Sequence, residues 1–258
     1  MFVVSLLSRK GGSGKTTLAV HWAVVAVKCG LSVVLADMDS QKSSASWFNK
    51  REAETPLLIQ PQPSNISDHI QACRDGGIDL VLIDTPPDID TNAVYAARVS
   101  DLVVIPVRPS VLDLEAIAGT VELVRGICKP AVFVLNQTPP RSGVTDEAKT
   151  ALAAYSLPIC PVALAYRIAY SRALIDGRVA SEIEPRGKAA IEIKQSWNWI
   201  QQSGQFFGVS GEESYPRLKV QSYIKKDCAM DSLQNILTDA LTTVGHFTNR
   251  NGLFLSPS

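Results

Sequence analysis

Residues 2–17 read Phe2-Val3-Val4-Ser5-Leu6-Leu7-Ser8-Arg9-Lys10-Gly11-Gly12-Ser13-Gly14-Lys15-Thr16-Thr17. The apolar run Phe2 to Leu7 predicts a buried strand, and the pattern after Lys15 predicts a helix. Between them lies a loop rich in glycine. Gly11, Gly12 and Gly14 open backbone conformations closed to residues with a Cβ, so successive N–H groups can converge on one anion. Lys15 adds a positive charge. The first turn of the helix adds unpaired N–H donors and the positive end of its dipole. This is a phosphate-holding loop, with Ser13 and Thr17 inside it and the Thr16 hydroxyl available to Mg²⁺. The common pattern G-x-x-x-x-G-K-[ST] would place glycine at position 9, where Arg9 stands, and a second lysine follows at position 10. Lys10 sits where the loop begins, poorly placed for its own phosphates and well placed to reach those held by a second subunit.

Working outward, continuous apolar runs at Phe2 to Leu7, Ser32 to Ala36, Leu80 to Ile83, Leu102 to Val107 and Ala131 to Leu135 predict strands buried on both faces. Helical spacing fills the intervals Thr16 to Cys29, Ser43 to Lys50, Asn92 to Val99, Leu112 to Ile127 and Thr145 to Tyr155. The expected fold is α/β, a doubly wound and mostly parallel sheet with helices on both faces, of the P-loop NTPase kind. In such sheets ligands bind at the carboxyl ends of the strands.

Two of those strand ends carry acids. The second strand runs into Asp37-Met38-Asp39-Ser40-Gln41 and a later one into Asp84-Thr85-Pro86-Pro87-Asp88. Hard oxygen ligands beside a phosphate loop suit Mg²⁺, which usually keeps several of its waters. Asp84 is the candidate to hold the metal's water shell, and Asp39 the candidate to position an attacking water.

Composition narrows the remaining choices. With 258 residues, 46% of them hydrophobic, the chain is long enough for one full α/β core and a small appendage. Its 25 basic and 25 acidic residues cancel, so any nucleic-acid contact must come from a local patch. Five cysteines occur with no C-x-x-C pair, which points to reduced thiols and away from an iron–sulfur site. No apolar run approaches the roughly 18 residues of a membrane span. The first residues enter a strand rather than a cleavable signal, so a soluble, cytoplasmic protein with no integral membrane segment is expected.

The segment Lys10 to Thr17 resembles the deviant Walker A motif of the ParA/MinD family of ATPases. The resemblance continues through Asp37 to Gln41, with Ser40 where the family usually has proline. It extends through Asp101 to Ser110 with Asp113-Leu114, and through Arg167 to Ala173, Gly177 and Ser181 to Ala189. It spans about residues 1–202 and is closest to the plasmid-type ParA partition proteins. It implies ATP and Mg²⁺ as cofactors, slow partner-stimulated hydrolysis, and an ATP-bound homodimer in which Lys10 contacts the partner's phosphates. It also implies that Asp39 orients the water and that Asn136 stands where an adenine edge is read. Relatives of this branch grip nonspecific DNA through C-terminal basic residues, which here would be Arg167, Arg172, Arg178, Arg186 and Lys188, with Lys194 nearby. A ParB-like centromere-binding protein would stimulate hydrolysis, and the ATP state would sit on the nucleoid.

Charge alone leaves the DNA face open. Residues 165–194 hold six basic residues against four acidic ones, a surplus that a solvated helical surface also carries. An alternative within the resemblance is a positioning or conjugation-associated scaffold acting on a protein cargo or a membrane. A cobyrinate-type amide synthetase would need a glutaminase-like Cys/His arrangement, which His21, His69 and His246 do not offer. Residues 203–258 read as a linker broken by Gly204, Gly208, Gly211 and Pro216, then a helical stretch with Leu233, Ile236, Leu237, Ala240, Leu241 and Val244 on one face. Few basic residues accompany that stretch, which argues against a membrane anchor. No helix-turn-helix precedes the loop, so operator binding by this chain itself is not expected.

Overall fold

A computed structural model of the chain describes residues 1–87, 91–140 and 143–206. Six strands, β1 Phe2–Leu6, β2 Val33–Asp37, β3 Leu57–Ile59, β4 Leu80–Asp84, β5 Leu102–Val107 and β6 Ala131–Leu135, form one sheet in the order β3-β2-β4-β1-β5-β6. All five pairings are parallel. Parallel neighbours require crossovers, and these are helices α1 Lys15–Lys28, α2 Ser43–Lys50, α3 Ile66–Asp75, α4 Thr91–Val99 and α5 Val111–Gly126. After β6 come α6 Val144–Ala153, α7 Ile168–Ala173, a 3-10 turn at Leu174–Asp176, α8 Ala180–Ile183 and α9 Lys188–Phe206.

The two faces of the sheet follow from the period of two along each strand. Val4, Leu6, Leu35, Leu82, Val104 and Val134 point to one side, where they pack with Leu18, Trp22, Trp197 and Ile200 of α1 and α9. The alternate residues Val3, Val34, Val81, Ile83, Val103 and Phe133 point to the other side, against α3, α4, α5 and α6. Helix α1 is buried from Leu18 through Ala26 because α9 covers the side away from the sheet. The Trp22 indole N–H then needs an internal partner, and the Ser196 hydroxyl supplies it at 3.0 Å.

The doubly wound, parallel layout expected from the sequence is the observed one, and the five anticipated strands and five anticipated helices match to within about two residues at each end. Beyond these, β3, α3 and the helical elements after α6, namely α7, the 3-10 turn, α8 and α9, were not anticipated as elements. β3 has only three residues at the sheet edge, too few to show a period. α3 buries Ile66, Ile70 and Cys73, which is helical spacing in an otherwise polar stretch. α9 runs through Gly204 to Phe206, four residues past the boundary placed at 202, and the helical stretch expected after residue 218 lies outside the described residues.

Among the described residues no helix is long and apolar enough to cross a membrane. Of the described cysteines, Cys73 and Cys160 are buried and Cys128 is exposed, and all four are free thiols.

Candidate nucleotide and metal site

Sheet register brings the chemistry together. Leu6 of β1 and Asp37 of β2 both pair with Asp84 of β4, so the phosphate loop and both acidic strand ends open at the carboxyl end of the sheet. Gly12 (φ 73°) and Gly14 (φ 97°) take the left-handed conformation that glycine alone adopts without strain. Gly14 is also the N-cap of α1, with no side-chain cap, so the first-turn amides face the loop. The Lys15 ammonium, buried at its stem, reaches back to the Ser8 carbonyl at 3.4 Å. The Ser13 hydroxyl is buried without a hydrogen-bond partner among the described residues.

Asp84 is fully buried. Its Oδ2 accepts from the Thr16 hydroxyl and from the Ser44 hydroxyl, each at 2.7 Å, while Oδ1 is buried with no partner among the described residues. Burial pushes this carboxyl up to about 7; the two hydroxyls and the charge of Lys15 work against the shift, and the charge of Asp37 adds to it. A buried carboxylate with one unsatisfied oxygen beside a threonine hydroxyl fits a hard divalent cation. Among the described residues no cluster of three or more His, Cys, Asp or Glu side chains would hold a metal alone. Mg²⁺ at Thr16 and Asp84 would therefore draw its remaining oxygens from phosphate and water.

Asp39 is nearly buried, at 9% exposure, on the turn between β2 and α2. Its Oδ1 accepts from the Gln41 amide at 2.9 Å and its carbonyl accepts from the Lys42 amide at 2.8 Å. Asp37 does different work. Its two oxygens accept from the Asp39 amide at 3.0 Å and the Ala45 amide at 2.8 Å, fastening the turn and the start of α2 to β2. Burial raises its pKa despite those hydrogen bonds.

Asn136, at the end of β6, lies against the loop: its amide nitrogen donates to the Ser13 carbonyl at 2.8 Å. The contact is close enough that a Cβ on Gly14 would stand 2.0 Å from that nitrogen. Gln137 joins it, donating to the Gly12 carbonyl at 2.9 Å from a left-handed backbone. The residues that follow β6, two strands from β1, thus brace the phosphate loop from outside. Lys10 and Thr17 are half-buried, and the Lys10 amide donates to the Ser8 hydroxyl at 3.3 Å.

The basic residues of the C-terminal segment divide into two groups. Arg167 is paired with Glu192, its Nε donating at 3.0 Å, and the Tyr170 hydroxyl donates to the same carboxylate. Arg178 is paired with Asp176. Arg172, Arg186, Lys188 and Lys194 are exposed. Three of the four acidic residues in this segment, Asp176, Glu182 and Glu192, are held in ion pairs, Glu182 by Arg51. Sequence spacing did not reveal Ser44, Gln137 or the Arg51–Glu182 pair. All three are brought to their partners by tertiary contacts from positions 40 or more residues away.

Residues 4–179 match the family described as the CobQ/CobB/MinD/ParA nucleotide binding domain. The chain is 30% identical over 208 residues to the maintenance of carboxysome distribution protein A of Halothiobacillus neapolitanus, covering 77% of this chain and 96% of that protein. It is 28% identical to protein ParA of Rhizobium radiobacter, covering 76% and 93% respectively. The fold is shared with the septum site-determining protein MinD complexed with Mg-ADP from Pyrococcus horikoshii, at a TM-score of 0.66 and 16% identity, over 81% of this chain and 99% of that one.

Proposed function

Because this chain belongs to the CobQ/CobB/MinD/ParA nucleotide-binding family, we propose that it is an ATP-dependent dimerising switch, an ATP hydrolase of the partition and positioning type. The observation that carries this reading is the convergence at the carboxyl end of the sheet of Lys15, Thr16, Asp84 and Asp39. In it, Lys15 and the α1 amides hold the phosphates, while Thr16 and Asp84 hold Mg²⁺, which when bound offsets phosphate charge. Asp39 orients the attacking water. Lys10 reaches the nucleotide of a second copy, and support for a second copy on that side comes from Val111 and Leu112, apolar residues 71% and 67% exposed at the start of α5.

In the ATP state the dimer grips DNA without regard to base sequence, and hydrolysis releases it. Exposure of Arg172, Arg186, Lys188 and Lys194, with most of the neighbouring acids already paired, supports a cationic face there. Two copies on one duplex would double a patch that is weak in one. A ParB-like protein would trigger hydrolysis. The carried object is either a DNA replicon or a protein body, and the 96% coverage of a carboxysome-distribution relative favours keeping the protein-cargo reading beside the partition one.

Asp39→Ala separates holding nucleotide from cleaving it. The variant should bind ATP, persist as a dimer in light scattering and hydrolyse at least about 100-fold more slowly. Turnover at the wild-type rate would move the water-positioning role elsewhere.

A further inference from the structure

Beyond Val107 the chain places a cation against the phosphate loop that none of the assignments above uses. Arg108 donates from Nε to Asp113 Oδ2 at 3.1 Å and from Nη2 to Asp113 Oδ1 at 2.9 Å. Asp113 is itself buried and held by the Ser110 hydroxyl, which also caps α5 by accepting from the Asp113 amide at 3.3 Å. A guanidinium has five N–H donors in a planar fork, and this clamp uses two of them. The clamp thereby fixes where the third nitrogen points: Nη1 lies 3.6 Å from the position a Cβ would take on Gly12.

Charge favours an anion at that place. The hollow beside Lys10 is lined by Ser8, Pro106, Val107, Asp113, Ile117 and Thr120. Asp113 is the acid among these, and Arg108 already occupies both its oxygens. Lys10 and Arg108 are thus two cations beside the one acid, Asp113, of this hollow and its clamp. An ordinary surface ion pair at a helix start contributes little to stability and would not account for a guanidinium edge turned toward the phosphate loop.

We propose that Arg108 is a further phosphate-contacting residue of the nucleotide site, with Asp113 and Ser110 as the residues that position it. This rests on the ATP reading above and adds a contact to it. The phosphate belongs either to the nucleotide in the same subunit or to that of a second copy, and the two sources separate by experiment.

Titration calorimetry with ATP on the wild type, Arg108→Gln and Arg108→Lys, with light scattering in parallel, is the test. Arg108→Gln should weaken ATP binding about tenfold or more in the dimerisation-deficient Lys10→Ala background if the contact is within one subunit. If it is to the second copy, the monomer's affinity should hold and the ATP-dependent dimer should be lost. Arg108→Lys keeps the charge without the two-point clamp and should fall between wild type and Gln in either case. Asp113→Asn, which loosens the clamp but leaves the arginine, should reproduce part of the loss. Melting temperatures without nucleotide identify a variant that is simply misfolded. Arg108→Gln with wild-type affinity and wild-type dimerisation overturns the inference and leaves the ATP reading intact. A wild type that binds no ATP overturns both.

Discussion

Ser44 donates its hydroxyl to Oδ2 of Asp84 at 2.7 Å, the same oxygen that Thr16 engages from the phosphate loop. Ser44 is the second residue of α2, five positions after Asp39. The candidate metal ligand is thus tied by a buried hydrogen bond to the helix that follows the candidate water-positioning turn. Ser44→Ala should cost about 1 kcal/mol of stability, the usual net contribution of one hydrogen bond. It should slow Mg-dependent hydrolysis while ATP affinity changes only a few-fold. Urea unfolding and a turnover assay check this; an unchanged rate would mean the α2 contact does not hold Asp84 in place.

The two lysines of the loop should fail in different ways. Lys15→Ala removes a charged donor from the phosphates and should weaken ATP binding about tenfold or more. Lys10→Ala should keep that affinity within a few-fold and abolish ATP-dependent dimerisation. Calorimetry and light scattering distinguish them, and a Lys10 variant that dimerises and hydrolyses normally would make it a surface residue.

His21 links the nucleotide helix to the C-terminal segment, with Nδ1 at 2.8 Å from the Thr17 carbonyl and Nε2 accepting from the Ala180 amide at 3.2 Å. Burial lowers its pKa from 6.5 to about 4, outweighing the Thr17 hydrogen bond and the charge of Glu182. Between pH 6.5 and about 4 the unfolded chain binds this proton and the folded one does not, so stability falls as pH falls through that window. The loss is about 3 kcal/mol at 1.36 kcal/mol per unit. Asp84 acts in the opposite sense, because its raised pKa makes the folded state bind the proton first. The test is therefore made in Asp84→Asn, comparing urea midpoints across this pH range with and without His21→Gln. The His21-containing protein should show the steeper acid loss. Parallel profiles would show that His21 is not buried neutral.

Much of this was legible in the residues, and for a physical reason. A strand buried on both faces is a continuous apolar run, and a phosphate loop needs glycines at fixed places, so β1, Gly12, Gly14 and Lys15 announce themselves locally. The positions of Asp84 and Asp39 beside the loop were legible because ligands of such sheets bind at the carboxyl ends of the strands. Ser44, Gln137 and the approach of Arg108 to Gly12 were not, because these contacts exist only once the sheet and its helices have packed. Asn136 shows the same limit. Its position was found, but its bond to the Ser13 carbonyl depends on the approach of β6 to the loop. Charge counting likewise could not separate Arg167, engaged by Glu192, from exposed Arg172.

The central claim is a surface grip switched by ATP, and fluorescence anisotropy on random-sequence duplex DNA with ATP, ADP or no nucleotide tests it most directly. Binding should appear with ATP alone, ignore base sequence and fall steeply with salt as phosphate contacts release counterions. Replacing Arg172, Arg186, Lys188 and Lys194 by Glu should abolish it without changing basal hydrolysis; Arg167, whose loss would also break the tie to α9, is left in place. A wild type that binds no DNA in the ATP state at low salt, or binds it equally in all three states, would contradict the account.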